Sequence, residues 1–535
     1  MTDQIFKTDK TSKSDQASKM NQTSKMNQIS KDDHASKTDQ TFETDQPFKA
    51  DETDESSKAD QAPKGVFSRL AANFSRGLNQ AGKALDKTLN PENLQRHADK
   101  MAKEVKGAFG MKPDMDPSMD TPNQLIDLGK AAKSAAGTLA LAKPALKNRA
   151  LRACAKELRA ASAEIEAANA LDMAAGMQKG LSKAMLDRLF LDKGRIEAMA
   201  KAVTDIAKLD DPVGQVLSES ARPNGLKIQK VSVPLGVIGI IYESRPNVTS
   251  DAAALCIKAG NACILRGGSD SWNSSNLIAE CMRRGLDSEG LNPDIVQRVP
   301  SPDRALVGDL LRLNAYVDVI VPRGGKSLVA RVQQEARVPV FSHLDGICHT
   351  YVDAKADLQV ALDVTLNAKM RRTGICGSME TLLVHQAVAD TFLPQVVAAL
   401  QERGCEVRGD ARVMQIDGVV PAMADDWDTE YLDAIVSVAV VADLDGAIAH
   451  INRHSSHHTD AIISKDKKAA DRFLKEVDSA IVMVNASTQF ADGGEFGLGA
   501  EIGISTGRMH ARGPVGAAEL TTYKYQVIGT GQIRG

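Results

Sequence analysis

Hydrophobic and polar positions divide the chain into three textures. Over residues 1 to about 62, lysine recurs every sixth position, at Lys7, Lys13, Lys19, Lys25, Lys31 and Lys37, with Asp or Asn two residues after each. Phe6, Met20, Met26 and Ile29 are scattered apolar exceptions. A hexapeptide β-helix needs an aliphatic residue in every coil. Without one, the segment buries too little to offset its ordering entropy and is expected to be a disordered tail. From Val66 to Met111 the pattern changes: Phe67, Leu70, Phe74, Leu78, Ala81, Leu85 and Leu89 recur at steps of three and four, which is one helical face. Arg69, Arg76, Lys83 and Lys87 lie among its polar positions, so the face suits either a surface or docking on the rest of the chain. The Pro- and Asp-rich run Lys112–Pro122 reads as a linker. Residues 123–210 are rich in Ala, Leu and Lys with helical period, and Asp211-Pro-Val-Gly214 breaks that pattern. Beta-branched runs then alternate with helical ones: Val231–Tyr242, Ala262–Leu265, Val317–Val321, Thr381–Val384 and Val436–Val441. Strand and helix in alternation predict an α/β fold with parallel sheet and dinucleotide-binding architecture.

Composition narrows the class. A chain of 535 residues exceeds one hydrophobic core, so at least two domains are expected. A net charge of −3 offers no basic field for nucleic acid or an acidic membrane. Seven cysteines without a CxxC pair suit a reducing compartment and exclude a zinc-ribbon spacing. No apolar run approaches the roughly 20 residues that span a bilayer, and the N-terminus has no signal-peptide core. A cytoplasmic location is expected.

The chemistry centres on Cys376. It sits in Thr373-Gly-Ile-Cys-Gly-Ser378, with Arg371 and Arg372 just upstream and an apolar strand just after. Glycines on both sides bare the thiol and nearby cations favour the thiolate, the form that attacks. A second segment, Pro234–Thr249, begins as a buried strand and ends in the polar turn Tyr-Glu-Ser-Arg-Pro-Asn-Val-Thr, where open α/β sheets place ligands. A third, Gly260–Gly268, ends a strand in Arg266, Gly267 and Gly268. The glycines let backbone approach a phosphate, and the arginine suits the 2′-phosphate of NADP. Asp318–Leu328 repeats that logic with Arg323, Gly324 and Gly325 before a helix, a place for phosphate or a nicotinamide ribose. Val441–Ile462 carries four of the ten histidines. His450 and His454 lie one helical turn apart, but no carboxylate stands at a zincin position and no cysteine is near, so no metal is expected. Asn485–Gly516 is a glycine-rich loop whose Phe490, Phe496, Ile502 and Ile504 set it apart from a linker. Arg508 and Arg512 in it are candidates for a substrate carboxylate or phosphate.

These motifs, in this order over about Asn123 to Gly535, resemble those of the gamma-glutamyl phosphate reductases, a branch of the aldehyde dehydrogenase superfamily. The resemblance implies an aldehyde-dehydrogenase-like α/β fold. It would comprise an NADP-binding domain over 123–354 with an oligomerisation hairpin at about 212–232, a catalytic domain over 355–484, and a C-terminal loop over 485–535 returning to the cofactor and oligomerisation region. Residues 1–62 and 63–122 lie outside it and are too few for the kinase domain of the fused plant and animal enzymes. It further implies Cys376 as nucleophile and Asn247 as side-chain oxyanion donor beside the Cys376 N–H, although Asn247 also reads as a turn residue. Glu430 joins the cofactor-binding set, and Arg245, Arg371, Arg372, His454, Arg508 and Arg512 the substrate-binding set. The segment Ser342–Asp353 lacks the Glu-Leu-Gly-Gly of hydrolytic aldehyde dehydrogenases, whose glutamate activates the deacylating water. A reductase of an acyl phosphate needs no such base.

The activity so implied is NADPH-dependent reduction of L-glutamyl 5-phosphate to L-glutamate 5-semialdehyde through a Cys376 thioester, the second step of proline biosynthesis. The implied partners are a separate glutamate 5-kinase and further copies of the chain, with no nucleic acid and no membrane. Other readings stay open: an acylating aldehyde dehydrogenase for a CoA thioester or aspartyl phosphate, a retired scaffold serving the repeats, and a cysteine hydrolase pairing Cys376 with His349.

Overall fold

The structure, a computed structural model, describes residues 121–534. The repeat tail, the Phe67–Leu89 face and nearly all of the linker lie outside the described residues. The Ala- and Leu-rich stretch forms the helices α1 (Thr121–Leu139), α2 (Pro144–Ala160), α3 (Ser162–Gln178), α4 (Lys183–Leu189) and α5 (Lys193–Lys208). Their boundaries follow local chemistry. Pro144 opens α2, where a missing N–H costs nothing, and the Asp192 carboxylate caps α5 by accepting from the Arg195 N–H at 2.7 Å.

The run Val231–Tyr242, read as one strand, is two. Strand β1 (Val216–Ala221) pairs antiparallel with β2 (Lys227–Pro234), and β3 (Val237–Tyr242) joins a different sheet. The break has a cause at Gly236. Its φ is +128°, and a Cβ there would lie 2.2 Å from the Asp318 carboxylate, which accepts the Val237 N–H at 2.8 Å. The helix α6 (Val248–Lys258), strand β4 (Ala262–Arg266), helix α7 (Trp272–Ser288), strand β5 (Val296–Arg298), helix α8 (Ala305–Leu311) and strand β6 (Val319–Arg323) follow. They build a parallel four-stranded sheet in the order β5-β4-β3-β6. Because β4 and β5 lie to one side of β3 and β6 to the other, a crevice opens at the carboxyl ends of β3 and β6.

After α9 (Lys326–Glu335), a second parallel sheet forms from β7 (Cys348–Val352), β8 (Met379–His385), β9 (Glu406–Gly409), β10 (Val420–Pro421), β11 (Ile435–Val441), β12 (Thr459–Ile463) and β13 (Ile481–Val484). Its order is β10-β9-β11-β8-β7-β12-β13. The helices α10 (Leu358–Met370), α11 (Gln386–Gln401), α12 (Leu444–His454) and α13 (Lys467–Glu476) supply the crossovers. Strands buried on both faces read as continuous apolar runs, which is why Thr381–Val384 and Val436–Val441 were legible without alternation. The C-terminal loop carries the short pair β14 (Ile504–Ser505) and β15 (Gly513–Pro514), and β16 (Thr521–Ile528) returns to pair with β2. The expected hairpin is therefore the larger part of a three-stranded antiparallel sheet, β1-β2-β16. Among the described residues, no helix is long and apolar enough to cross a membrane.

Candidate active site

Topology brings three loops together. Strands β8, β7 and β12 are neighbours in the second sheet, so the residues just before each converge at one edge. His343 precedes β7, Cys376 precedes β8 and His458 immediately precedes β12. Their ligating atoms, the thiol sulfur and one nitrogen from each ring, all lie within 4.8 Å of one another. The two imidazoles meet edge to face, with centroids 5.0 Å apart.

Each group is held from behind. The Nδ1 of His343 lies 2.6 Å from the Ile504 carbonyl, which can only accept, so Nδ1 carries a proton and Nε2 is left to face the sulfur. The Nδ1 of His458 lies 2.9 Å from the Thr459 hydroxyl, and its buried Nε2 has no hydrogen-bond partner. Gly346 makes room for the nucleophile loop, because a Cβ there would sit 2.3 Å from the Cys376 carbonyl. From the C-terminal loop, Gln489 donates to the carbonyls of Ala368 at 2.9 Å and Arg372 at 3.0 Å, fastening the loop that carries the thiol. A fully buried ion pair, Lys369 Nζ to Glu380 at 2.6 Å, joins the end of α10 to the start of β8 on either side of it.

Burial opposes ionisation of Cys376, but the facing imidazoles of His458 and His343 outweigh it and hold the thiol well below its ordinary range. The thiolate in turn helps raise His343 against burial. The charges that stand out around the sulfur are thus two histidines rather than the expected Arg371 and Arg372. Both arginines are exposed, and Arg371 reaches the Gln489 side-chain oxygen at 3.4 Å. His349, the rival partner for the thiol, instead pairs with the buried Asp460 at 2.9 Å.

The other expected residues fall into separate groups. Arg245 is half-buried, and burial together with the guanidinium charges of Arg323 and Arg188 brings it down to about 10, with Cys376 and Arg372 also in electrostatic reach. Arg188 of α4 donates to the Gly374 carbonyl at 3.5 Å and was missed in the sequence, where it sits in an unremarked helical stretch. Asn247 precedes α6 and donates from Nδ2 to Asp251 at 3.0 Å. Burial pushes Asp251 up to about 6. Glu430 accepts the Gly346 N–H close to Cys376, and burial raises it. Arg508 and Arg512 both pair with Asp478, Arg512 at 2.7 Å, while His454 pairs with Asp428 at 2.8 Å.

At the first sheet, Arg266 is buried and donates to the carbonyls of Pro302 at 2.8 Å and Gly267 at 3.1 Å, while its Nε has no partner. A Cβ on Gly267 would lie 3.1 Å from the Tyr242 hydroxyl oxygen and 3.2 Å from its ring, and one on Gly324 would lie 2.6 Å from the Glu243 carboxylate. Glu243 accepts the Gly325 N–H at 3.0 Å. Bare backbone at two strand ends, with a buried guanidinium lacking one partner, fits a dinucleotide phosphate cradle.

A parallel sheet with such a cradle, facing a thiolate carried before a strand of a second parallel sheet, defines an aldehyde dehydrogenase. The profile of the aldehyde dehydrogenase family matches residues 115–412. The gamma-glutamyl phosphate reductase of Rhodospirillum rubrum is 62% identical over 416 residues, covering 78% of this chain and 97% of that protein. The corresponding protein of Paramagnetospirillum magneticum is 61% identical over 418 residues, covering 78% and 99%. The crystal structure of gamma-glutamyl phosphate reductase from Thermotoga maritima superposes with a TM-score of 0.75 at 44% identity, covering 77% of this chain and 100% of that one. The chain belongs to the gamma-glutamyl phosphate reductase branch of the aldehyde dehydrogenase family.

Proposed function

We infer that this protein catalyses the NADPH-dependent reduction of L-glutamyl 5-phosphate to L-glutamate 5-semialdehyde with release of phosphate, the second step of proline biosynthesis from glutamate. The observation that carries the reading is the 62% identity, over nearly the whole length of the Rhodospirillum protein, around an intact Cys376 loop.

The chain's own groups account for the chemistry. Cys376 thiolate attacks the γ-carbonyl carbon, the C–O bond to phosphate breaks, and a thioester forms. His343 and His458 stabilise the thiolate before attack and again when the product leaves. Of the two Asn247 N–H groups, one is spent on Asp251, which aims the other; with the Cys376 N–H it is the proposed oxyanion pair. Arg245, Arg371 and Arg372 are the proposed receivers of phosphate and carboxylate, with Arg188 beside them. His454, Arg508 and Arg512 would reach substrate only on leaving their carboxylates. Arg266, Gly267, Gly268, Arg323, Gly324, Gly325 and Glu430 are the proposed holders of NADPH, which supplies the hydride that reduces the thioester. No residue is required to activate water, consistent with the acyl phosphate as starting material.

A homo-oligomer is proposed on physical grounds. The strand β13 is an edge of its sheet and lines a cavity of about 670 Å³ with Phe490 and Phe496. The antiparallel sheet exposes Val216, Leu217, Tyr523, Tyr525, Val527 and Ile528, an apolar surface that suits burial against another copy. A cytoplasmic site of action and supply of substrate by a separate glutamate 5-kinase complete the reading.

The test is the reverse reaction: NADP reduction by glutamate 5-semialdehyde is expected to require inorganic phosphate. Reduction that depends on CoA and ignores phosphate would place the enzyme with the CoA-acylating members instead.

A further inference from the structure

The arrangement around Cys376 has the features of a metal site as well as of a nucleophile. Zinc takes one thiolate and two imidazoles readily, with Zn–S near 2.3 Å and Zn–N near 2.0–2.1 Å, and such tetrahedral bonds place ligand atoms roughly 3.5 Å apart. The three ligand atoms here lie within 4.8 Å of one another, so shifts on the order of 1 Å close the set. No other group of three such residues meets this spacing among the described residues.

Two further observations point to a ligand. His458 is fully buried, its Nε2 makes no direct hydrogen bond, and its ring acts on the Cys376 sulfur. Both rings also carry outer contacts of the kind metal-binding histidines have: the Ile504 carbonyl, which takes the Nδ1 proton of His343, and the Thr459 hydroxyl beside Nδ1 of His458.

We propose that His343, Cys376 and His458 form a reversible zinc(II) site, and that zinc bound there blocks the nucleophile and inhibits the enzyme. This departs from the metal-free reading of the sequence, which weighed only His450 and His454. Metal exchange with the thiolate involves no redox step: the sulfur and one ring nitrogen of each histidine donate lone pairs to zinc, a proton held between that nitrogen and the thiolate leaves to solvent, and zinc-bound water is displaced.

The full-length protein, stripped of metal, would be titrated with zinc against a chromophoric chelator. One tight site per chain is expected, with a dissociation constant on the order of 1 µM or below, inhibition at the same midpoint, and full recovery on adding EDTA. Cobalt(II) in place of zinc should give a thiolate-to-cobalt absorption band and the intense d–d bands of four-coordination. Cys376→Ser should remove that band and the tight site. Because His458 is fully buried, its replacement is complemented by His343→Gln at a half-buried position and by Thr459→Val, which removes only an outer contact. His343→Gln should weaken zinc by more than about tenfold, and Thr459→Val by roughly 10–100-fold. Tight zinc binding that survives Cys376→Ser, or a cobalt complex without a thiolate band, overturns the proposal.

Discussion

His343 and His458 face each other edge to face, 5.0 Å between ring centroids, although 115 residues separate them in the chain. The sheet order explains the meeting. Their loops precede β7 and β12, which are hydrogen-bonded neighbours, and β8 on the far side of β7 delivers Cys376 to the same edge. The site is therefore assembled at the amino ends of one parallel sheet, across from the carboxyl ends of β3 and β6 that would hold the dinucleotide.

Cys376→Ser is expected to lower kcat by about 10⁴–10⁶-fold, since serine provides no comparable anion between the imidazoles. His343→Gln keeps the nucleophile but removes one stabilising ring, and should lower kcat by about 10²–10⁴-fold. Steady-state assays with a folding check by circular dichroism would read both. A serine variant retaining a tenth of wild-type turnover would remove Cys376 from the nucleophile role.

Much of this was legible in the sequence, and the parts that were not share a cause. Cys376 announced itself through its flanking glycines, and the strand ends at Arg266 and Arg323 through beta-branched runs followed by Gly-Gly. His343 and His458 did not, because each sits alone in its own segment and gains meaning only from strand order, a long-range property that one-dimensional spacing does not encode. The same applies to Gln489, whose three contacts bridge about 120 positions. The split of Val231–Tyr242 was hidden because the steric demand at Gly236 comes from Asp318, 82 residues away.

Lys369 and Glu380 frame the nucleophile loop from complete burial. Burial already pushes Glu380 up to about 7 against the pull of Lys369, and removing Lys369 leaves that buried carboxyl without its partner, so Lys369→Met should destabilise the protein by about 3–5 kcal/mol. The double variant Lys369→Met/Glu380→Leu should recover most of that loss, because no unpaired charge remains. Denaturant titration of the three proteins checks this. A double variant no more stable than the single one would mean that the pair's geometry, rather than its charge balance, matters.

Arg266 offers a guanidinium at the end of β4 with Arg304 and Arg331 in electrostatic reach, a cationic corner suited to the 2′-phosphate. Arg266→Ala should lower kcat/KM for NADPH by about ten- to a hundredfold, the loss of a charge-assisted contact, and leave NADH nearly unaffected. The ratio of the two separates lost recognition from the general damage of emptying a buried site. A ratio unchanged from wild type would move the selectivity to another residue.

Deleting residues 1–62 should leave kcat, KM and the melting temperature nearly unchanged. The relatives align over 97–99% of their own length with only 78% of this chain. The repeat also holds too few apolar residues to contribute packing energy. Its lysines are interleaved with aspartates, which leaves little field to steer an anionic substrate. A deletion that halves activity or lowers the melting point by several degrees would make the tail part of the enzyme.

His450 is held neutral. Burial is the largest cause, and the charges of His349, His454 and Arg453 add to it against Asp428, bringing the imidazole down to about 3. Its ring packs against Trp427 at 5.3 Å and His454 at 4.6 Å, and its Nε2 is buried without a partner. Unfolded, the same histidine titrates near 6.5. Above that value neither state is charged there, and the group contributes its full share of stability. Between 6.5 and about 3 the unfolded chain binds a proton that the folded one refuses, so stability falls with acidification. The slope from this one group reaches at most about 1.4 kcal/mol per pH unit. His450→Gln keeps a polar side chain but cannot take up that proton, so urea melts at pH 7, 6, 5 and 4 should show a shallower acid limb than wild type. Parallel limbs for the two proteins would mean that His450 is protonated in the folded state as easily as in the unfolded one.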